Sequence, residues 1–161
     1  MQKPLSTFNK LFGSGPTGVV ASLILLFIAI WLNKLLAPPP LIANHALRLG
    51  IFLASCVLAV VIIAWSVKSL PALDRGNKLC TGGAFKYFRH PLYAAFLSVF
   101  DFGLAIYLNS IVYIVWAIAL HPVWHWVIGY EEKLMIGIFG QDYIDYAGKT
   151  GRFFPRLINK N

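Results

Sequence analysis

Acidic side chains are scarce in this sequence. Six aspartates and glutamates stand against 14 lysines and arginines, and only 12% of the 161 residues are charged. A soluble globular domain usually carries about twice that charged share. Cysteine is also rare: Cys56 lies in a long apolar run and Cys80 lies outside it, so no disulfide between them is expected. The scarcity of charge argues against a soluble domain.

Long apolar runs take the place of the missing charge, and 58% of the residues are hydrophobic. Four runs, at residues 19–36, 49–67, 92–108 and 111–128, are long enough to cross the hydrocarbon layer as helices. The runs are continuous rather than alternating, which disfavours membrane strands. A backbone inside lipid must also satisfy its own hydrogen bonds. The sequence therefore predicts an all-α integral membrane protein with four transmembrane helices in a single domain, residues 1–161.

The positive charges are distributed unevenly about these four helices. Lys34 and Arg48 fall on one side of the membrane, and the other 12 lysines and arginines fall on the side that holds both termini. This is the positive-inside pattern, which predicts cytoplasmic termini and, in a prokaryote, the inner membrane. The bilayer therefore explains the net charge of +8, and no nucleic-acid partner is expected.

The composition of the chain changes after residue 70, from almost wholly apolar to mixed polar, basic and aromatic. Residues 1–18 predict an irregular or surface-lying leading segment, and the three prolines after Ala37 end the first helix. The first two helices are nearly free of polar groups, so residues 1–70 are predicted to form a helical hairpin that serves as scaffold. Residues 71–161 are predicted to be the functional, cofactor-binding half. Within it, the Asn109-Ser110 turn is so short that helices three and four must pack antiparallel.

A fifth helix is predicted after the last membrane helix. Residues 131–146 fit an amphipathic helix at the cytoplasmic interface, bent near Gly140. No internal repeat or low-complexity tract interrupts this plan.

The stretch FRHPLYAAF, residues 88–96, places two basic residues before a proline. Pro91 is acceptable in the first turn of a helix, where its missing N–H has no partner to lose. Arg89 and His90 then lie at a helix N-terminus, where free N–H groups and the helix dipole favour an anion. The alternative is an arginine that extends towards lipid head groups.

Two adjacent carboxylates lie at the cytoplasmic end of helix four. Glu131 and Glu132 point about 100° apart on the helix. Because helices three and four form a short hairpin, the pair returns to the membrane face that holds Arg89 and His90. One glutamate is expected to pair with Arg89, and the other to bind an amine or ammonium. The alternative is a salt-bridged helix end.

Three polar residues lie deeper in the predicted membrane. Asp101 is near the middle of helix three, where an ionisable group costs a few kcal/mol unless it is paired or faces a cavity. His121 and His125 share a face of helix four. They lack a third ligand and a HExxH pattern, so no metal site is expected. A hydrogen-bonded cluster with Asp101 is the favoured interpretation.

Together, GGAFKYFRHPLY, the hairpin turn LNS, the pair EE, FGQDYIDY and the terminal RFFP resemble the isoprenylcysteine carboxyl methyltransferase family and related integral-membrane phospholipid methyltransferases. The likeness covers about residues 78–156. It implies an S-adenosylmethionine-dependent methyltransferase that releases S-adenosylhomocysteine. The implied acceptor is lipophilic (isoprenoid, prenylcysteine-like or phospholipid) and is methylated at the cytoplasmic membrane face.

The resemblance also implies which residues form the site. The implied catalytic residues are Arg89, Glu132 and Arg152. The implied cofactor-binding residues are Gly82, Gly83, His90, Pro91, Tyr93, Glu131, Glu132, Tyr143 and Tyr146.

Two other functions remain open from the sequence. Membrane reductases of the sterol-reductase type have a similar C-terminal half and bind NADPH. Such a reductase is expected to have more basic residues, to bind the extra phosphate of NADPH, and a longer membrane domain than this chain. A non-catalytic membrane protein that binds lipid would need only the fold.

Overall fold

The computed structural model describes residues 15–70 and 77–156. Most of the predicted irregular leading segment therefore lies outside the described residues. Its last four positions, residues 15–18, are helical rather than irregular, which corrects that expectation at this end.

The described chain forms five α-helices. They are α1 (Gly15–Leu36), α2 (His45–Ser69), α3 (Pro91–Leu108), α4 (Ile111–Phe139) and α5 (Gln141–Lys149). A short 3₁₀ turn, Gly83–Lys86, precedes α3, and no strand occurs within residues 15–70 and 77–156. The first four helices are each long and apolar enough to cross a membrane, which confirms the predicted fold class. Helix α4 continues well beyond residue 128, so the acidic pair lies inside it.

Local sequence sets the ends of the helices. Ala37, with φ 42°, ends α1 directly before the three prolines, and Asn44 caps α2 by accepting a hydrogen bond from a backbone N–H of the first turn. Asn109 adopts the left-handed conformation with φ 62°, and Ser110 then caps α4. Gly140, with φ 57°, separates α4 from α5 at the predicted bend.

The first two helices pack mainly on different neighbours. Helix α1 packs on α4, whereas α2 packs on α3, and α3 and α4 pack on each other. Small residues permit the close approach of α1: Gly18 lies against the ring of Trp124, and Ser22 accepts a hydrogen bond of 2.9 Å from the indole N–H of Trp124. This polar link inside the membrane fixes α1 beside the helix that carries the acidic pair.

One turn of α3 departs from α-helical geometry. Residues 96–100 form a π turn, in which the N–H of Asp101 bonds to the carbonyl of Phe96. Such a turn adds one residue to the helix and rotates every later side chain relative to the earlier ones. The π turn therefore determines which direction the side chains of α3 face from Asp101 onwards. Nothing in the sequence pattern predicted this turn.

The contact of α1 with α4 can be tested with a pair of glycine substitutions. A Cβ added at Gly18 would lie 2.5 Å from the ring of Trp124, whereas one added at Gly50 of α2 would meet nothing within 4 Å. Alanine favours a helix over glycine by about 1 kcal/mol, so Gly50→Ala is expected to be neutral or stabilising. Gly18→Ala is expected to lower the thermal unfolding midpoint in detergent, because overpacking usually costs about 1–3 kcal/mol. Equal midpoints for the two variants would contradict the packing of α1 on α4.

Candidate functional site

The segment after α5 returns to the start of α3. The backbone N–H of Arg89 donates to the carbonyl of Gly151 at 2.7 Å, and the N–H of His90 donates to the carbonyl of Arg152 at 3.2 Å. Phe88 and Gly151 form a parallel bridge. These main-chain bonds bring two parts of the chain that are far apart in sequence side by side, so Arg89, His90 and Arg152 become neighbours.

Glu132 lies between two arginines. The Nε of Arg89 donates to Oε1 at 2.9 Å, and the Nε of Arg152 donates to Oε2 at 3.0 Å, where Nη2 also binds. The Glu132 side chain is 11% exposed. Removal of one member of such a buried ionic group leaves an uncompensated charge. The expected pairing of Arg89 with one glutamate is present, and Arg152 completes a triad.

Glu131 points to a different group of partners. The hydroxyl of Tyr93 donates to Glu131 at 3.0 Å, and the His90 ring lies between the two acids, with Nδ1 3.7 Å from Glu131 and Nε2 3.5 Å from Glu132. The rings of His90 and Tyr93 stack, with centroids 5.8 Å apart. Glu131 is therefore hydrogen-bonded within the protein, and its expected binding of an amine or ammonium stays a prediction.

Arg89 also holds the end of α5. Its Nη1 donates to the carbonyl of Ala147 at 2.7 Å and to the carbonyl of Thr150. These are backbone acceptors at the C-terminal end of a helix, where carbonyls lack intrahelical partners. The Arg89 side chain is only 13% exposed. It connects the start of α3, the acid of α4 and the end of α5, and it is partly buried.

Arg152 differs from Arg89 in its exposure. Its side chain is 27% exposed, and its Nη1 donates to the carbonyl of His125 at 3.2 Å. Arg152 therefore bonds to the triad acid on one side and to the middle of α4 on the other.

The two predicted tyrosines of α5 are buried. The hydroxyl of Tyr146 donates to the carbonyl of Phe85 at 2.6 Å, and the rings of Tyr143 and Tyr146 lie 6.0 Å apart. Burial raises the pKa of both phenols, so both stay protonated at neutral pH. Tyr146 thereby anchors the 3₁₀ turn to α5.

The two predicted glycines differ in their surroundings. Gly83 has φ 58° and lies against Ser69 at the end of α2, so its backbone and packing explain it without a ligand. Gly82 has open space where a side chain would begin. Pro91 is buried as the first residue of α3, in the predicted position.

The predicted cluster of Asp101 with the two histidines is wrong. Within the described ranges, no hydrogen bond joins Asp101 to His121 or His125. The Nδ1 of His125 instead approaches the carbonyl of His121 at 2.8 Å. The segment after α5 lays Phe153 against His125 with ring centroids 4.8 Å apart and Phe154 against His121 at 5.4 Å. Sequence reasoning missed the fully buried Phe153, although the motif RFFP contains it.

Two hollows lie between α1 and α4, and among the described residues neither is lined by Arg89, Glu132 or Arg152. The larger, about 550 Å³, has walls that include Thr17, His125, Trp126, Gly129, Tyr130 and Lys133. The smaller, about 370 Å³, is almost wholly apolar and includes Leu25, Ala29, Leu32, Val115, Trp116 and Ala119. Ion pairs of Glu132 with Arg89 and with Arg152 hold this charged cluster together.

Comparison with known proteins gives one family. The phospholipid methyltransferase family pattern matches residues 48–142, which include most of α2 and all of α3 and α4. A relative described as protein-S-isoprenylcysteine O-methyltransferase B, from Arabidopsis thaliana, is 35% identical over 83 residues. That match covers 51% of this chain and 42% of the relative, so the two proteins align over less than half of the relative's length.

Proposed function

The chain belongs to the phospholipid methyltransferase family, and from this premise we propose that it transfers a methyl group from S-adenosylmethionine to a lipophilic acceptor at the cytoplasmic face of the membrane. The observation that carries the proposal is the meeting of basic, acidic and aromatic groups at one end of the helix bundle, where α3 begins and α4 carries its acids. The excess of lysine and arginine at this end supports the cytoplasmic side.

The residues present fit the chemistry of S-adenosylmethionine, which has an ammonium, a carboxylate, a sulfonium and an adenine ring. Glu131 offers a carboxylate to the ammonium or to the ribose hydroxyls. Arg152, the more exposed of the two site arginines, offers a guanidinium to the carboxylate. The stacked rings of His90 and Tyr93 offer an aromatic surface. When bound, the cofactor supplies an electrophilic methyl group.

The chain's own contribution is alignment and exclusion of water. A displacement at a methyl carbon needs the acceptor held in line, so the protein acts mainly by orienting the reactants. The buried Phe153 and the ring of Trp124 beside Tyr93 keep water from this end of the bundle. A carboxylate acceptor would require no general base, whereas an amine acceptor would pass its proton to a histidine or glutamate.

We propose two different roles for the three implied catalytic residues. Arg89 and Glu132 hold the C-terminal segment against α3 and α4, and we assign them as positioning residues. Arg152 is the one proposed to touch a reactant. Gly83 and Tyr146 are proposed to support the site through the backbone that they fix rather than through contact with the cofactor.

Calorimetric titration of the detergent-solubilised protein tests the proposal. We expect saturable binding of S-adenosylhomocysteine and no binding of NADPH, because Glu131 complements an ammonium, which NADPH lacks. Transfer of a labelled methyl group into lipid extracts would then identify the acceptor. Binding of NADPH alone would establish the reductase instead, and binding of neither compound would favour a non-catalytic lipid-binding protein.

A further inference from the structure

The larger hollow between α1 and α4 has a chemistry of its own. Its one charged lining residue among the described positions is Lys133, and no carboxylate lines it there. Thr17 adds a hydroxyl. Trp126 and Tyr130 add large rings that are 79% and 63% exposed. Such amphipathic rings and a cation on a long stem are the groups that meet lipid head groups at a membrane surface. The hollow therefore suits an anionic polar group attached to a hydrocarbon chain.

The hollow adjoins the charged cluster through a single side chain. Arg152 bonds to Glu132 with one edge of its guanidinium and to the carbonyl of His125 with Nη1. His125 is part of the wall of the hollow. A molecule in the hollow would thus lie beside the arginine proposed to contact a reactant.

The face of α4 that borders this hollow continues into the apolar part of the bundle. Ala119, Pro122, Trp126, Gly129 and Lys133 recur every three or four residues, so they share one face of the helix. Ala119 lines the smaller, apolar hollow, and Pro122, which follows it by one helical turn, is exposed. A hydrocarbon chain whose polar end lies at Lys133 can follow this face towards the middle of the membrane.

We propose that the hollow between the start of α1 and the second half of α4 binds the anionic polar group, a carboxylate or a phosphate, of the lipid acceptor. Helix α1 is then a substrate-binding element as well as scaffold, held in place by the contact of Gly18 and Ser22 with Trp124. The role of this lipid as methyl acceptor rests on the proposed methyltransferase function. Binding of the anionic lipid in the hollow does not depend on that function.

Two glycines provide a matched test. A Cβ at Gly129 or at Gly148 of α5 would meet nothing within 4 Å, so a side chain can begin at either position without a clash, yet of the two only Gly129 lines the hollow. We expect Gly129→Leu to weaken binding of hexadecyl phosphate by about tenfold or more and Gly148→Leu to leave it unchanged. Lys133→Gln, which adds no bulk, is expected to act in the same direction as Gly129→Leu.

A set of amphiphilic probes distinguishes the contribution of charge to binding from that of hydrophobicity, and binding of a carboxylate from binding of a phosphate. Hexadecyl phosphate should bind more tightly than hexadecyl maltoside, and hexadecyltrimethylammonium should not compete with it. N-acetyl-farnesylcysteine carries a carboxylate and lysophosphatidic acid a phosphate, so the tighter of these two identifies the acceptor class. Equal binding of the neutral and anionic amphiphiles, or indifference to both Gly129→Leu and Lys133→Gln, would overturn the proposal.

S-adenosylhomocysteine titration of the same variants keeps the two proposals apart. We expect Gly129→Leu and Lys133→Gln to bind it as the parent protein does, because neither residue contributes to the charged cluster. Lipid binding without S-adenosylhomocysteine binding in the parent protein would refute the methyltransferase proposal and leave the lipid site standing.

Discussion

Glu132→Gln is expected to have the largest effect of any single substitution in this protein. Glutamine keeps the shape of the side chain but removes the charge that neutralises Arg89 and Arg152, whose guanidiniums both bind this carboxylate. Breaking a buried ionic group by removal of one partner costs about 3–5 kcal/mol. We expect a marked fall in the unfolding midpoint and a loss of S-adenosylhomocysteine affinity of about tenfold or more, which corresponds to about 1.4 kcal/mol.

Glu131→Gln is the matched control, since it is the neighbouring residue of the same type on the same turn of α4. Its carboxylate accepts from the hydroxyl of Tyr93, and a glutamine oxygen can still accept that bond. The variant is therefore expected to unfold close to the parent midpoint and to lose affinity for S-adenosylhomocysteine. An unchanged midpoint for Glu132→Gln would contradict the role of its charge in holding the arginines together.

The helices could be predicted from the sequence because their ends have local causes. The prolines after Ala37, the Asn109-Ser110 turn and the break at Gly140 each depend on residues that are adjacent in the chain, and all three lie where the pattern placed them. The length of α4 was underestimated because the charged residues 131–133 interrupt the apolar run, while the backbone continues as helix to Phe139.

The partners of the site residues could not be predicted, because they depend on contacts between distant parts of the chain. The sequence paired Arg89 with an acid, but the carbonyls of Ala147 and Thr150 become available only when the C-terminal segment docks. The same segment brings Phe153 to His125, a contact between residues that are far apart in the chain. Gly18 and Ser22, two small residues one turn apart, indicated that α1 packs closely against another helix. They did not indicate which helix, because the partner residue Trp124 is far away in the sequence.

Arg89→Lys is expected to release the C-terminal segment from the rest of the protein. Arg89 makes separate bonds to Glu132, to Ala147 and to Thr150, and a lysine ammonium on a flexible stem cannot reproduce that fork. Trypsin cleavage after Lys149 should then accelerate by about tenfold or more, because the cleavage rate follows the fraction of molecules in which the segment is undocked. The backbone amides of residues 89 and 90 should also lose protection from hydrogen exchange. The substitution leaves the number of tryptic sites unchanged, so the cleavage rates can be compared directly.

Arg152→Lys separates positioning from contact with a reactant. It loses bonds to Glu132 and to the carbonyl of His125, but the backbone bonds of residues 151 and 152 to the start of α3 remain. We expect cleavage after Lys149 to stay near the parent rate while S-adenosylhomocysteine binding weakens. In Arg89→Lys, by contrast, the loss of binding should follow the fraction of released segment, because Arg89 acts through the segment that it holds. Rapid cleavage in both variants, or in neither, would contradict this division of roles between the two arginines.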